Sequence, residues 1–181
     1  MRRLILVLLV IAALGFATWQ WVIVPRRPVA MPVPAADTLG AGLRAVQLYF
    51  VAPSGDRLVA ESRELPEAAT LHERVAALVA ELDRGPTGAA VAAVPPGTSL
   101  LHVYLDDEGL MTVDVSRAFQ QGFRGGAGAE YLAVSSLVRT LAANVPGVKR
   151  VLIVCGGEPL VTLGGHLPLD RPLDVTEIPT P

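Results

Sequence analysis

Hydrophobic and polar positions change their period several times along this chain, and each change marks an element. Arg2 and Arg3 precede an uncharged apolar run from Leu4 to Val24, and Arg26 and Arg27 follow it. As a helix, residues 4–24 would span about 31 Å at ~1.5 Å per residue, enough to cross a bilayer core. Trp19 and Trp21 lie near the end of the run, where indoles favour the membrane–water interface. After a proline-rich stretch the pattern becomes that of strands. Leu43–Val51 is rich in β formers, Pro53-Ser54-Gly55-Asp56 supplies a turn, and Leu58–Glu64 returns as a second strand. Leu71, Val75, Leu78, Val79 and Leu82 then recur at helical spacing until Gly85-Pro86 stops them.

A second hairpin is written in strict alternation. Leu101, Val103 and Leu105 alternate with His102 and Tyr104, while Met111, Val113 and Val115 alternate with Thr112 and Asp114 across Asp106-Asp107-Glu108-Gly109. Each strand thus offers one apolar face to a core. After Gly122–Gly128 a second helix carries Tyr131, Val134, Leu137, Val138 and Leu141 on its apolar stripe. Val148–Cys155 reads as a buried strand, with Leu160–Leu163 expected to pair with it. The order ββα-ββα-ββ predicts an α+β fold, two helices packed on one face of a mixed or antiparallel sheet. Domain limits follow: an anchor or signal segment at 1–24, a Pro-rich linker at 25–42, a folded domain at 43–174 and a tail at 175–181.

Composition sharpens this outline. Hydrophobic residues make up 51% of the 181 positions, but the excess is concentrated in the first 24. A multi-pass membrane protein, a disordered chain and a disulfide scaffold are therefore excluded. The chain has 15 basic and 17 acidic residues, and the domain itself is mildly acidic. No basic stripe offers itself to phosphates, so nucleic acid is not an expected partner. Cys155 is the single cysteine; it has no partner for a disulfide, and in the run VLIVC it reads as a small buried hydrophobe.

The N-terminal run has two readings. Cleavage after Gly15 or Ala17 would make it a signal peptide and the domain a secreted one. The apolar character resumes after those small residues, which favours a retained single-pass anchor through residues 4–24. The basic pair ahead of it favours a cytoplasmic N-terminus and an extracytoplasmic domain. Pro25, Pro28, Pro32 and Pro34 then make a semi-extended spacer of ~3 Å per residue.

Several stretches together resemble the GerMN domain, a module named after a spore-germination and sporulation protein. They are VQLYF (46–50), VPPGTSLLHV (94–103), VDVSRAF (113–119), GGAGAE (125–130), VPGVKRV (145–151) and TLGGHLPLDRPL (162–173). The resemblance implies an extracytoplasmic, membrane-attached module of the bacterial envelope, linked to sporulation, germination or cell-wall processes. It implies a support for envelope assemblies rather than a catalyst, with a fold similar to ring-building modules of secretion-type machines. This chain departs from lipoprotein members in lacking an acylated cysteine, and it carries one copy of the domain.

The candidate ligand or partner surface is built from two small-residue loops that match those motifs. One is Gly125, Gly126, Gly128 and Glu130 at the start of the second helix, where free N–H groups can hold an anion. Glu130 in the first turn is expected to satisfy the helix dipole itself and so cap the helix internally. The other is Gly164, Gly165 and His166, with His166 expected to fix its loop by hydrogen bonding rather than act as a base. His72 and His102 read as surface residues, and a Cys155–His166 pair lacks a third orienting group. Asp106-Asp107-Glu108 reads as a solvated turn, because a calcium loop needs six to eight converging oxygens. No catalytic set, metal site or cofactor is expected. The expected partners are an envelope protein or further copies of the chain, with peptidoglycan as the alternative.

Overall fold

The computed structural model describes residues 42–178; the anchor expected at 4–24 and nearly all of the linker lie outside them. Strands β1 (Leu43–Val51) and β2 (Leu58–Pro66) form an antiparallel pair in which Val51 faces Leu58 across the turn. Helix α1 (Leu71–Arg84) begins with a reciprocal cap. Thr70 Oγ1 accepts from the Glu73 amide at 3.1 Å, and Glu73 Oε2 accepts from the Thr70 amide at 3.0 Å, which satisfies two otherwise orphaned donors. Gly85, at φ 84°, ends the helix in a conformation that favours glycine.

Strands β3 (Leu100–Leu105) and β4 (Leu110–Val115) form the second hairpin, followed by the short helix α2 (Ala118–Gln121) and the long helix α3 (Ala127–Asn144). Strand β5 (Arg150–Cys155) returns parallel to β4. The short strands β6 (Glu158–Pro159) and β7 (Leu173–Asp174) both pair antiparallel with β5. The architecture is mixed α+β, as the residue pattern predicts. The hairpins do not merge into one sheet, however: β1–β2 is a separate two-stranded sheet beside the five-stranded one. The inward residues Met111, Val113, Val115, Val151 and Ile153 share one core with Leu78, Leu82, Leu137 and Leu141 of the helices and Leu48 and Phe50 of β1.

The separation of β1 from the larger sheet has a specific cause. Its outer edge is taken by side chains of α3 spaced four apart. Asn144 Oδ1 accepts from the Gln47 amide at 2.9 Å, and Asn144 Nδ2 donates to the Gln47 carbonyl at 2.7 Å. Thr140 Oγ1 accepts from the Tyr49 amide at 3.1 Å, and the Ser136 hydroxyl donates to the Tyr49 carbonyl. Val51 closes the edge by pairing with Val91. A helix thus does the work of a neighbouring strand, with polar side chains in place of a ladder.

Three expectations are corrected. The strand expected at Leu160–Leu163 is Glu158–Pro159 instead. Gly156 and Gly157, at φ 64° and 82°, make a two-residue turn, so pairing resumes at once at Glu158 and ends at Pro159, which has no N–H. Leu101 is 38% exposed rather than inward, because the register shifts between Leu100 and His102 and puts Leu100 on the inner side. The domain does not end at Asp174: Val175–Glu177 form a 3₁₀ turn and Ile178 is buried in the core. Among the described residues no helix is long and apolar enough to cross a membrane.

Candidate functional site

The two loops singled out in the sequence meet, and Glu130 joins them. Its residue is fully buried. Oε1 accepts from the amides of Leu163 and Gly164 at 3.0 and 2.8 Å; Oε2 accepts from the amide of His166 at 2.9 Å and lies 3.0 Å from its Nδ1. The loop around Gly164 has no ladder of its own to satisfy these donors, and a buried carboxylate of the neighbouring helix supplies the acceptors. Internal capping of α3 is therefore corrected: Gly126 is the cap residue and no side chain bonds there. Glu130 is the fourth helical residue, one place beyond the spacing that reaches back to a cap, and its oxygens go to the other loop.

Burial alone would raise the Glu130 carboxyl, since it penalises the charged form. The amides of Gly164, His166 and Leu167 and the His166 imidazole outweigh it and lower the group from 4.5 to about 2. Glu130 is ionised at any physiological pH, and all the hydrogen bonds it accepts come from one loop. His166 is held through Nδ1, with its side chain 51% exposed. Its amide and its ring both approach the same oxygen of Glu130.

The glycines divide into those that are sterically required and those that are not. A Cβ on Gly164 would lie 2.7 Å from a ring carbon of Phe123 and 3.1 Å from Glu130 Oε2, and one on Gly125 would lie 2.6 Å from Ala129 Cβ and 3.2 Å from Phe123. Phe123 is thus seated between both loops, a contact the sequence reading missed. Gly165 has φ 95° and donates to Thr162 Oγ1 at 3.1 Å. Gly126 and Gly128 would meet nothing. Gly128 instead opens onto a cleft of about 510 Å³ between α3 and the 91–96 loop. The structure therefore brings together Gly125, Glu130, Gly164, Gly165 and His166, and leaves Gly126 and Gly128 at the free start of α3.

The remaining candidates separate. The Cys155 thiol faces the Ser116 carbonyl at 3.5 Å, and burial pushes it up from its ordinary value, while the His166 ring is engaged by Glu130. Asp106 Oδ1 accepts from the amides of Glu108 and Leu110, a side-chain-closed turn. No group of three or more His, Cys, Asp or Glu among the described residues is placed to hold a metal ion. Ser136, Thr140 and Asn144 were also missed, though their four-residue spacing on a helix was a readable signal.

Two hairpins, a helix that closes a strand edge, and a loop latched by one carboxylate define a small α+β module. The sequence profile of the Germane family, described as sporulation and spore germination, matches residues 47–161, and the chain belongs to that family. The first GerMN domain of the sporulation protein GerM from Bacillus subtilis is similar in fold, at 21% identity and a TM-score of 0.60, over 74% of this chain and 98% of that one. The tandem GerMN domains of the same protein match at 20% identity and a TM-score of 0.60, over 74% of this chain and 47% of theirs. The chain spans about half the length of that tandem structure. No curated protein matches the chain closely enough to count as a relative. The resemblance drawn from the motifs is thereby established, and the family is not a known enzyme family.

Proposed function

We propose that this chain is a membrane-anchored, extracytoplasmic GerMN-type module that acts by binding an envelope protein or further copies of itself, not by catalysis. The observation that carries the reading is the use made of Glu130 and His166: their hydrogen bonds hold a loop in place. A general acid or base would have to leave that network to meet a substrate. Membership of a family tied to sporulation and spore germination supports an envelope role, and the apolar run at 4–24 supports the anchor.

The test is crosslinking of the full chain in native membranes, followed by identification of what is captured. A discrete envelope protein or a homo-oligomer is expected. A strictly monomeric chain with no captured protein would overturn the reading. Peptidoglycan binding has weaker support: Phe50 and Phe119 are buried, Tyr49, Phe123 and Tyr131 are half-buried, and Tyr104 is exposed, which leaves little aromatic platform for a sugar. Retention on purified wall polymer would revive it.

A further inference from the structure

The edges of the two sheets are protected unequally. The outer edge of β1 is closed by Ser136, Thr140, Asn144 and Val91. Strand β2 carries Glu61, Arg63 and Glu64 and ends in Pro66, the charges and proline that discourage pairing. At the far side of the large sheet β6 and β7 have two residues each, too short to template another strand. Strand β3 is the exception: it is the terminal strand of its sheet, and its sequence LLHVYL has no charged residue and no proline.

The register says which main-chain groups β3 leaves open. The Asp106 amide donates to the Leu110 carbonyl, which makes Tyr104/Thr112 and His102/Asp114 the hydrogen-bonded pairs of the β3–β4 ladder. Val103 and Leu105 occupy the alternate positions, so their N–H and C=O groups point away from β4 to the open side. Helix α1 packs against β3, but among the described residues no hydrogen bond engages the outward main-chain groups of Val103 and Leu105. Tyr104 is 66% exposed and His102 is exposed beside it. The bulge at Leu101 limits the regular stretch to His102–Leu105.

We propose that β3 is a homotypic pairing edge, through which two copies of the chain join antiparallel about a two-fold axis at Val103. This rests on the self-association reading above and names its surface. The axis puts Val103 opposite Val103 of the second copy, with two mutual N–H···O=C bonds. His102 then stands opposite Tyr104 of the second copy, twice. No like charges meet, because the strand has none; a second copy therefore complements it without any adjustment. Four residues bury far less than the roughly 1,200 Å² of a stable interface, so pairing belongs to copies concentrated on a membrane rather than dilute in solution.

The test uses the full chain in membranes, with His102→Cys and Tyr104→Cys combined. These positions form a non-hydrogen-bonded pair across the proposed axis, the closer kind, within disulfide reach, and the native Cys155 is buried. Mild oxidation should give a disulfide-linked dimer, reduced about tenfold, or ~1.4 kcal/mol, by Val103→Pro. That proline removes an outward N–H and spares the β3–β4 ladder. Leu101→Lys, which adds a charge to the edge, should reduce it likewise and serves if the proline variant does not fold. A dimer equally abundant in both breaking variants overturns the β3 assignment. So does the absence of a disulfide dimer where formaldehyde still captures homo-oligomers, and self-association then stands. Absence of homo-oligomers by either route overturns self-association and this inference with it.

Discussion

Two glutamates, Glu130 and Glu81, are buried in this domain, and they are satisfied in opposite ways. Glu81, near the end of α1, pairs with Arg63 of β2 and with Arg84 one turn on. Arg63 also reaches Glu61 and the Gly85 carbonyl, and its guanidinium lies 5.4 Å from the centre of the Phe50 ring. Glu130 has no Arg or Lys partner; the half-exposed His166 imidazole and main-chain amides hold it. A side-chain network can be replaced as a set, because every member is encoded. A carboxylate bound to amides has no side-chain member to exchange, since the loop's N–H donors persist under any substitution except proline. Glu81 joins two elements that already pack on a shared core, whereas Glu130 determines the path of a loop that has no ladder.

Removing Glu130 should have the largest effect. With its carboxyl near 2 in the folded chain against 4.5 otherwise, its charge contributes roughly 3 kcal/mol. Because the folded value is depressed, this contribution is complete above about pH 5 and is lost as pH falls toward 2. Glu130→Gln should therefore lower stability to urea by about 3 kcal/mol at pH 7 and flatten the fall in stability between pH 5 and 2. An unchanged acid slope would contradict the latch.

Arg63→Met should cost about 2 kcal/mol, because it strands a carboxylate that is 7% exposed and leaves only the solvent-facing Arg84. Pairing it with Glu81→Leu should recover much of that loss in a double-mutant cycle. No second substitution should rescue Glu130→Gln in the same way; a rescuing variant would erase the distinction between the two glutamates. Asn144→Ala, which opens the β1 edge at Gln47, should cost about 1–2 kcal/mol and speed amide exchange at Gln47. His166→Ala should be the mildest, below about 1 kcal/mol, because three amides still hold Glu130; a loss as large as that of Glu130→Gln would make the imidazole the true anchor.

How legible this was differs by element. The helices and hairpins were readable because their apolar periods are long: Val75, Leu78, Val79 and Leu82 on α1, and Val134, Leu137, Val138 and Leu141 on α3, are buried as the spacing requires. Leu101 was misplaced because a bulge changes which residue of Leu100-Leu101 faces inward without changing the composition. Both candidate loops were found, but not their meeting. Glu130 and His166 are 36 positions apart, and no local pattern says that a first-turn glutamate turns away from its own helix.

The sequence alone determined the two hairpins, the two long helices, the strand ending at Cys155, the mildly acidic charge and the family, since these depend on local propensity, periodicity and short motifs. The tertiary structure decided where the polar groups go. Asn144, Thr140 and Ser136 close a strand edge, and Glu130 holds a loop, because desolvation on folding makes every buried donor and acceptor find a partner, wherever in the chain it lies. It also decided which edge is left open, because an unpaired edge is defined only once the strands are placed in order.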